Sequence, residues 1–263
     1  MENKVKFTVT DLAPNVWQIH EEGAGQLVDC YLIVGETRAA LVDSLMSRGD
    51  RRLYDIVRER TSLPIVVLHT HGHGDHVGAE LKEFIDAGCE VCVSEKDFPL
   101  MGSFGASYPT EIFTKLHDGD RFDLGGRALE VIELAGHTPG SVAFLDRANR
   151  QLFSGDTIGS GSIWMQLDHS TDLTTFLGGM KRLESMVAGI DNLMVYPGHR
   201  NQSPVQLNER YITDMRELAE MLISGEMVGD PMQPAEGGAR FPTALVARYG
   251  MVGALVYEPS KLK

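Results

Sequence analysis

Apolar residues fall in short runs separated by glycine, proline and polar clusters. Four runs open the chain and predict short, mostly antiparallel strands: Val5–Thr8, Val16–Ile19, Cys30–Val34 and Ala39–Val42. Six later runs predict further strands: Ile65–Leu68, Glu90–Val93, Ala128–Glu133, Val142–Leu145, Gln151–Ser154 and Leu193–Tyr196. Helical spacing of apolar positions predicts four helices: Arg48–Arg60, Val77–Ala87, Leu173–Val187 and Leu207–Ser224.

Sheet-forming runs in both halves, with helices between them, favour two sheets packed together and covered by helices. Lys96–Pro109 is typical of an irregular surface segment, and Gly225–Arg240 of a linker or loop. Tyr249–Tyr257 predicts a final strand or a docking segment. We therefore expect a catalytic domain at residues 1–225, with residues 226–263 as an extension or as part of the same domain.

The length and the net charge of the chain exclude some classes of function. At 263 residues the chain suits one large domain or two small ones, and its net charge of -13 argues against nucleic-acid binding. We find neither an apolar run that could span a membrane nor a signal-peptide pattern. We expect a cytoplasmic protein that acts on a small molecule and has no nucleic-acid or membrane partner. A homodimer is compatible with these features.

The spacing of Cys89 and Cys92 predicts that both side chains pack in the fold as part of a strand.

The stretch His71-Gly72-His73-Gly74-Asp75-His76 carries the most chemical information. It follows the apolar run 65–68, and its glycines allow a sharp turn that points several side chains inward. Imidazole nitrogens and a carboxylate suit zinc, and also iron, manganese or nickel. One turn cannot complete such a site.

Three further places have the same character. Each sets a histidine or aspartate beside glycine just past a predicted strand: Gly136-His137, Gly155-Asp156 and Gly198-His199. Sites in layered α/β folds commonly collect at such strand ends. Four independent places with the same character favour a shared metal site over ordinary turn chemistry.

Together with Leu41-Val42-Asp43, and in this order, these residues resemble the metallo-β-lactamase-fold hydrolase superfamily from about Val16 to Arg200. The resemblance implies an α/β fold, a four-layer αββα sandwich with its site at one edge of the two sheets. It also implies two divalent metal ions, zinc first, with iron or manganese as alternatives. The implied ligands are His71, His73 and His137 for the first metal, Asp75, His76 and His199 for the second, and Asp156 between them. Asp43 would orient a ligand histidine.

The implied activity is hydrolysis of a small ester, thioester or lactone by a metal-bridging hydroxide, with Asp75 handling its proton. Asp156 argues against true β-lactamases, which generally lack it, and the short tail does not match the helical glutathione-binding domain of glyoxalase II. Two alternatives stay open. One is a persulfide dioxygenase-like oxidoreductase with a single iron on His71, His137 and Asp156 or a similar trio. The other is a non-catalytic ligand-binding member.

Several residues around the expected site suit more than one role. Trp164 and Met165 could form an apolar wall or pack beneath their loop. Phe98, Met101, Phe104 and Tyr108 could form a lid, cover the core or make a dimer contact. Among the other histidines, we expect His169 on the surface or fixing a loop, His20 and His117 in solvent, and His69 in the core or beside the ligands.

Overall fold

The computed structural model describes residues 5–23, 26–102, 106–234, 237–250 and 252–263. Its first sheet contains seven strands in chain order: β1 (Lys6–Ala13), β2 (Val16–Gly23), β3 (Gln26–Val34), β4 (Ala39–Val42), β5 (Ile65–Leu68), β6 (Glu90–Val93) and β7 (Thr114–Lys115). The first four pair antiparallel, as the sequence predicts, and the pairs from β4 to β7 are parallel. The carboxyl ends of β5 and β6 therefore lie at the same sheet edge.

The second sheet contains five strands: β8 (Arg121–Asp123), β9 (Ala128–Glu133), β10 (Val142–Asp146), β11 (Gln151–Gly155) and β13 (Met194–Pro197). Their spatial order is β13-β11-β10-β9-β8. The pair β11–β13 is parallel and the others are antiparallel. Pairing of β11 with β13 brings the residues that follow both strands to one edge.

The two sheets face each other across a shared apolar core. Along β4, Ala40 and Val42 enter this core, whereas Ala39 and Leu41 point to the opposite face. The second sheet alternates in the same way, so that Phe144 of β10 enters the shared core while its neighbours pack outward. This period of two is what a strand buried on both faces requires.

Helices cover the two outer faces. They are α1 (Leu53–Arg58) and α2 (Leu81–Asp86) on the first sheet, and α3 (Leu173–Val187) and α4 (Glu209–Ser224) on the second. The architecture is therefore the expected four-layer αββα sandwich. No helix in the described ranges is long and apolar enough to cross a membrane.

The first two helices are shorter than predicted. Helix α1 cannot start at Arg48 because Asp50 N–H bonds to the Val5 carbonyl and Arg52 is extended. Helix α2 starts late because the chain at Gly78 packs against another backbone segment, where a Cβ would stand 1.6 Å from the Leu45 oxygen. Tertiary contacts override helical spacing at both positions.

The C-terminal residues form a third, smaller sheet. It contains β12 (Ile163–Trp164), β14 (Asp230–Pro231), β15 (Leu245–Tyr249) and β16 (Gly253–Tyr257) in the order β12-β16-β15-β14. The final strand predicted within Tyr249–Tyr257 is β16, which covers Gly253–Tyr257. Tyr249 belongs to β15, because the chain turns at Gly250, with a φ of 64°, and forms a hairpin. Leu255 and Tyr257 join the core beneath α3 and α4. The domain boundary at residue 225 stays a prediction.

The cysteines pack as the sequence suggests. Cys92 is buried between the sheets, where burial raises its pKa to about 12, and Cys89 packs toward the helix side. The two thiols thus face different layers, with Cys92 on β6 and Cys89 just before its first residue.

Candidate metal centre and cavity

The four predicted places converge at one edge of the sandwich. The turn after β5 carries His71 and His73, and the turn between β9 and β10 carries His137. The inner nitrogen of His73, Nδ1, lies 3.1 Å from His71 Nε2 and 3.0 Å from His137 Nε2. All three side chains are buried, and their ligand atoms lie within 4.8 Å of one another. Three nitrogens thus point to one small volume.

A second group lies beside the first. It consists of Asp75 and His76 from the turn after β5, Asp156 after β11 and His199 after β13, with ligand atoms again within 4.8 Å of one another. His199 Nε2 lies 3.2 Å from Asp156 Oδ2 and 3.6 Å from Asp75 Oδ2. Two carboxylates and two imidazoles therefore share this volume.

Asp156 faces both groups. Its Oδ2 is 3.2 Å from His199 Nε2 and 3.8 Å from His137 Nε2 of the first group. Its Oδ1 is 3.4 Å from His76 Nε2 and accepts a hydrogen bond of 3.0 Å from the Ser160 hydroxyl. One carboxylate thus adjoins both sets of nitrogens.

Backbone carbonyls fix two of the imidazoles. His137 Nδ1 is 2.8 Å from the Trp164 carbonyl oxygen, and His199 Nδ1 is 2.6 Å from that of Leu27. Because a carbonyl only accepts, both Nδ1 atoms must carry the proton. In the neutral rings the lone pair is then on Nε2, which faces the centre.

Protonation differs between the two groups. Burial lowers the pKa of His71 well below its usual value, and that of His73 to about 3, so both rings are neutral near pH 7. Burial also opposes charge on His76 and His199, but Asp156 and Asp75 outweigh it and raise both pKa values. The second group thus has enough carboxylate charge to stabilise a cation.

These residues fit divalent metal ions. His76 Nε2 is buried and makes no standard hydrogen bond among the described residues, and the nearest carboxylate oxygen, Asp156 Oδ1, is 3.4 Å away. A cation held between these two atoms would satisfy both. The donor set of imidazole nitrogens and carboxylate oxygens suits zinc, and also iron or manganese. Every residue predicted as a ligand lies in one of the two groups.

The sequence pattern does not predict that two neighbouring residues lie beside the centre. Asp97 is fully buried and accepts hydrogen bonds from the backbone N–H groups of Gly72 (2.9 Å) and Gly140 (2.7 Å). His169, expected on the surface or fixing a loop, is half-buried with Nε2 2.8 Å from His73 Nε2. Asp97 follows β6 at the same edge as the histidine turn, and that position could have identified it.

Two other histidines are buried. His20 was expected in solvent, but it is 7% exposed and its Nδ1 is 2.8 Å from Asp29 Oδ1. His69 is in the core as expected, with Nδ1 3.0 Å from the Cys92 oxygen and Nε2 3.2 Å from Ser44 Oγ. His117 is exposed, as expected.

A cavity of about 330 Å³ opens above both groups. Asp75 and Asp156 line it, together with the apolar side chains of Trp164 and Leu167. Of the two wall candidates, only Trp164 lines the cavity, because Met165 is 1% exposed in the core beneath α3.

The lid candidates pack elsewhere. Phe98, Met101 and Tyr108 contact the core between the first sheet and its helices, and Phe104 lies outside the described residues. The Tyr108 hydroxyl donates to the Gly78 carbonyl at 2.9 Å. The described lid candidates therefore pack over the hydrophobic core of the first sheet.

Comparisons with known proteins agree with this geometry. The model of the metallo-beta-lactamase superfamily matches residues 23–199. Hydroxyacylglutathione hydrolase GloC of Haemophilus influenzae is 27% identical over 195 residues, which are 69% of this chain and 90% of that protein. Acyl-coenzyme A thioesterase MBLAC2 of Gallus gallus is 26% identical over 228 residues, 74% of this chain and 81% of that protein. A metallo-beta-lactamase from Pontibacter korlensis has the same fold, with a TM-score of 0.62 at 20% identity, covering 79% of this chain and 96% of that one.

Proposed function

Because this chain belongs to the metallo-beta-lactamase superfamily, we propose that it is a dinuclear metal-dependent hydrolase of small thioesters. We further propose zinc as the metal, a small-molecule substrate and a cytoplasmic location. Esters and lactones are alternative substrates for the same chemistry.

The position of Asp156 carries this proposal. A carboxylate within 4 Å of nitrogens from both groups is placed to join two cations, whereas a single cation would not need both groups. His71, His73 and His137 would hold the first cation and Asp75, His76 and His199 the second, with Asp156 shared. The buried His76 Nε2, which makes no standard hydrogen bond and lies 3.4 Å from Asp156 Oδ1, supports occupation of the second position.

The cations, when bound, would activate water and polarise the scissile carbonyl. Asp75 then acts as the general base and general acid that transfers the proton of this water. Its side chain is 20% exposed against 12% for Asp156, and it lines the cavity, so it is the carboxylate that incoming water reaches more readily. Asp75 takes one proton as the water oxygen bonds to the carbonyl carbon, and returns it to sulfur when the carbon–sulfur bond breaks. The products are a carboxylic acid and a thiol.

Two observations favour a thioester. The names of both curated relatives describe enzymes that cleave an acyl group from a thiol carrier. The cavity also presents Trp164, Leu167 and Met46, which suit an acyl chain beside the polar centre.

The proposal is tested by metal analysis together with a substrate panel. We expect about two zinc equivalents, and thiol release from thioesters faster than hydrolysis of matched oxygen esters and lactones. One iron equivalent with oxygen uptake on a persulfide would contradict hydrolysis and support the oxidoreductase alternative. Inactivity of metal-loaded protein across the panel would support a ligand-binding role.

Replacement of Asp156 tests the shared position directly. Asp156→Ala should lose one or both metal equivalents and turnover, because neither group keeps its common carboxylate. Asp191→Ala removes an exposed carboxylate and serves as the matched control. Full activity of Asp156→Ala with two metals retained would rule out the shared role.

A further inference from the structure

We propose that Arg240, from the C-terminal segment, binds an anionic group of the substrate, a carboxylate or a phosphate, away from the bond that is cleaved. The inference deepens the proposed function, on which it rests for the identity of the cavity as the substrate site. It gives the C-terminal segment a role in substrate selection.

The location of Arg240 is the first argument. It lines the same cavity as Asp75, Asp156 and His199, and among the described residues that line this cavity it is the only lysine or arginine. The cavity thus combines a metal-binding floor with one permanent positive charge. A substrate that reaches both needs an electrophilic carbonyl and a separate anion.

Aromatic contacts hold Arg240 in place. Its guanidinium carbon lies 5.1 Å from the centre of the Phe241 ring, a cation–π distance. Phe241 in turn meets Trp164 edge-on at 5.9 Å between ring centres. The Trp164 carbonyl accepts the hydrogen bond from His137, so a short series of contacts connects Arg240 to a proposed metal ligand.

The charge of Arg240 is available to a ligand. The residue is exposed, and no carboxylate in the described part of the chain forms an ion pair with it. By contrast, Arg127 is paired with Asp146 at 2.7 Å and Arg210 with Asp214 at 2.7 Å. A planar guanidinium beside a cavity is well suited to bidentate recognition of a carboxylate or phosphate.

The hydrolytic step itself does not need this charge. Arg240 is therefore expected to act on binding, so that its removal raises KM and changes kcat little. The effect should appear only with substrates that carry the anion.

A matched substrate pair isolates that effect. The two thioesters have the same acyl group, one on 3-mercaptopropionate and the other on its uncharged amide. The native enzyme should prefer the carboxylate by about tenfold in kcat/KM, and Arg240→Gln should reduce the preference to within about twofold. Arg121→Gln, which removes an exposed arginine of β8 outside the cavity lining, should keep it. A thioester of 2-mercaptoethyl phosphate distinguishes phosphate from carboxylate recognition.

Direct binding separates this proposal from the proposed reaction. The corresponding thioethers cannot be hydrolysed, and Trp164 in the cavity wall reports their binding through its fluorescence. Arg240→Gln should weaken binding of the carboxylate thioether about tenfold and leave the amide unchanged. If Arg240→Gln weakens thioether binding in this way but the native protein hydrolyses no thioester, the anion site is supported and the proposed hydrolysis is contradicted. Hydrolysis with equal binding of both thioethers in native protein and variant would overturn the anion site alone.

Discussion

Asp43 Oδ2 lies 2.9 Å from His76 Nδ1 in the buried floor of the centre. The same carboxylate accepts bonds from the backbone N–H of Thr70 (2.8 Å) and from its hydroxyl (2.9 Å). Because the hydroxyl proton goes to Asp43, Thr70 Oγ1 is free to accept from His71 Nδ1, 3.1 Å away. One aspartate thus fixes the ring orientation of a histidine in each group, with the Nε2 atoms of His71 and His76 directed toward the centre.

Asp43→Asn should therefore weaken metal binding at both positions. The amide NH2 would face either His76 Nδ1–H or Thr70, so at least one donor loses its acceptor. We expect metal affinity, measured by competition with a chelator, to fall about 10- to 100-fold. Asp55→Asn, at an exposed helix position paired with Arg52, is the control. Unchanged affinity for both metals would contradict the orienting role.

Asp97 connects the two turns of the first histidine group. It accepts from Gly72 N–H in one turn, and from Gly140 N–H and the Thr138 hydroxyl (2.6 Å) in the other. Asp97→Ala would leave these buried donors without that acceptor, and the free energy of unfolding should fall by about 3 kcal/mol. Urea denaturation measures the change. Glu95→Gln, which weakens an exposed ion pair with Lys115, should change the free energy of unfolding far less. A comparably small loss in Asp97→Ala would contradict the connecting role.

Much of this centre could be predicted because its ligands have local signals. His71, His137 and His199 each stand beside glycine at the end of an apolar strand, and such positions meet at one edge of a layered fold. Strand alternation and the amphipathic spacing of Leu173–Val187 are equally local, and that helix has the predicted bounds.

The missed features depend on contacts between distant segments. His169 contacts His73, which is 96 positions away in the sequence. Arg240 lines the cavity in a C-terminal segment whose hairpin pairs with β12. Neither residue stands beside a glycine at the end of an apolar strand. His20 also looked solvated because its burial comes from pairing with Asp29 on the adjacent strand.

Gly198 leaves room for Asp156 and His76 of the second group to lie close to the backbone and to each other. A Cβ at this position would stand 2.4 Å from Asp156 Oδ1 and 2.5 Å from His76 Cε1. Gly198→Ala should displace these side chains, remove about one metal equivalent and lower kcat/KM by about 100-fold, since small misplacements at a reacting centre cost that much. Metal content and turnover are measured together.

A second glycine provides the matched control. Gly178 lies in α3, where a Cβ meets nothing within 4 Å among the described atoms. Gly178→Ala should raise the free energy of unfolding by about 0.5–1 kcal/mol and leave metal content unchanged. Equal metal content in both variants would show that the close approach at Gly198 does not constrain the centre.

Lys261 stabilises the loop that carries His169. Its ammonium donates to three backbone oxygens, those of Leu167, Asp168 (3.1 Å) and Ser170 (2.9 Å). Lys261→Met keeps the aliphatic stem but removes all three donors, so the loop should open more often and His169 should lose its fixed position beside His73. We expect faster amide hydrogen exchange across residues 167–170 and a loss of about 1–2 kcal/mol in the free energy of unfolding.

Lys263→Met, two positions further along at an exposed site, should change neither quantity. If Lys261→Met exchanged at the native rate in this loop, the three carbonyl contacts would not be what orders it. If exchange rose while metal affinity stayed native, the loop would be ordered by Lys261 without contributing to the centre. A joint change in exchange and metal affinity is the expected result, because the loop brings His169 Nε2 to within 2.8 Å of His73 Nε2.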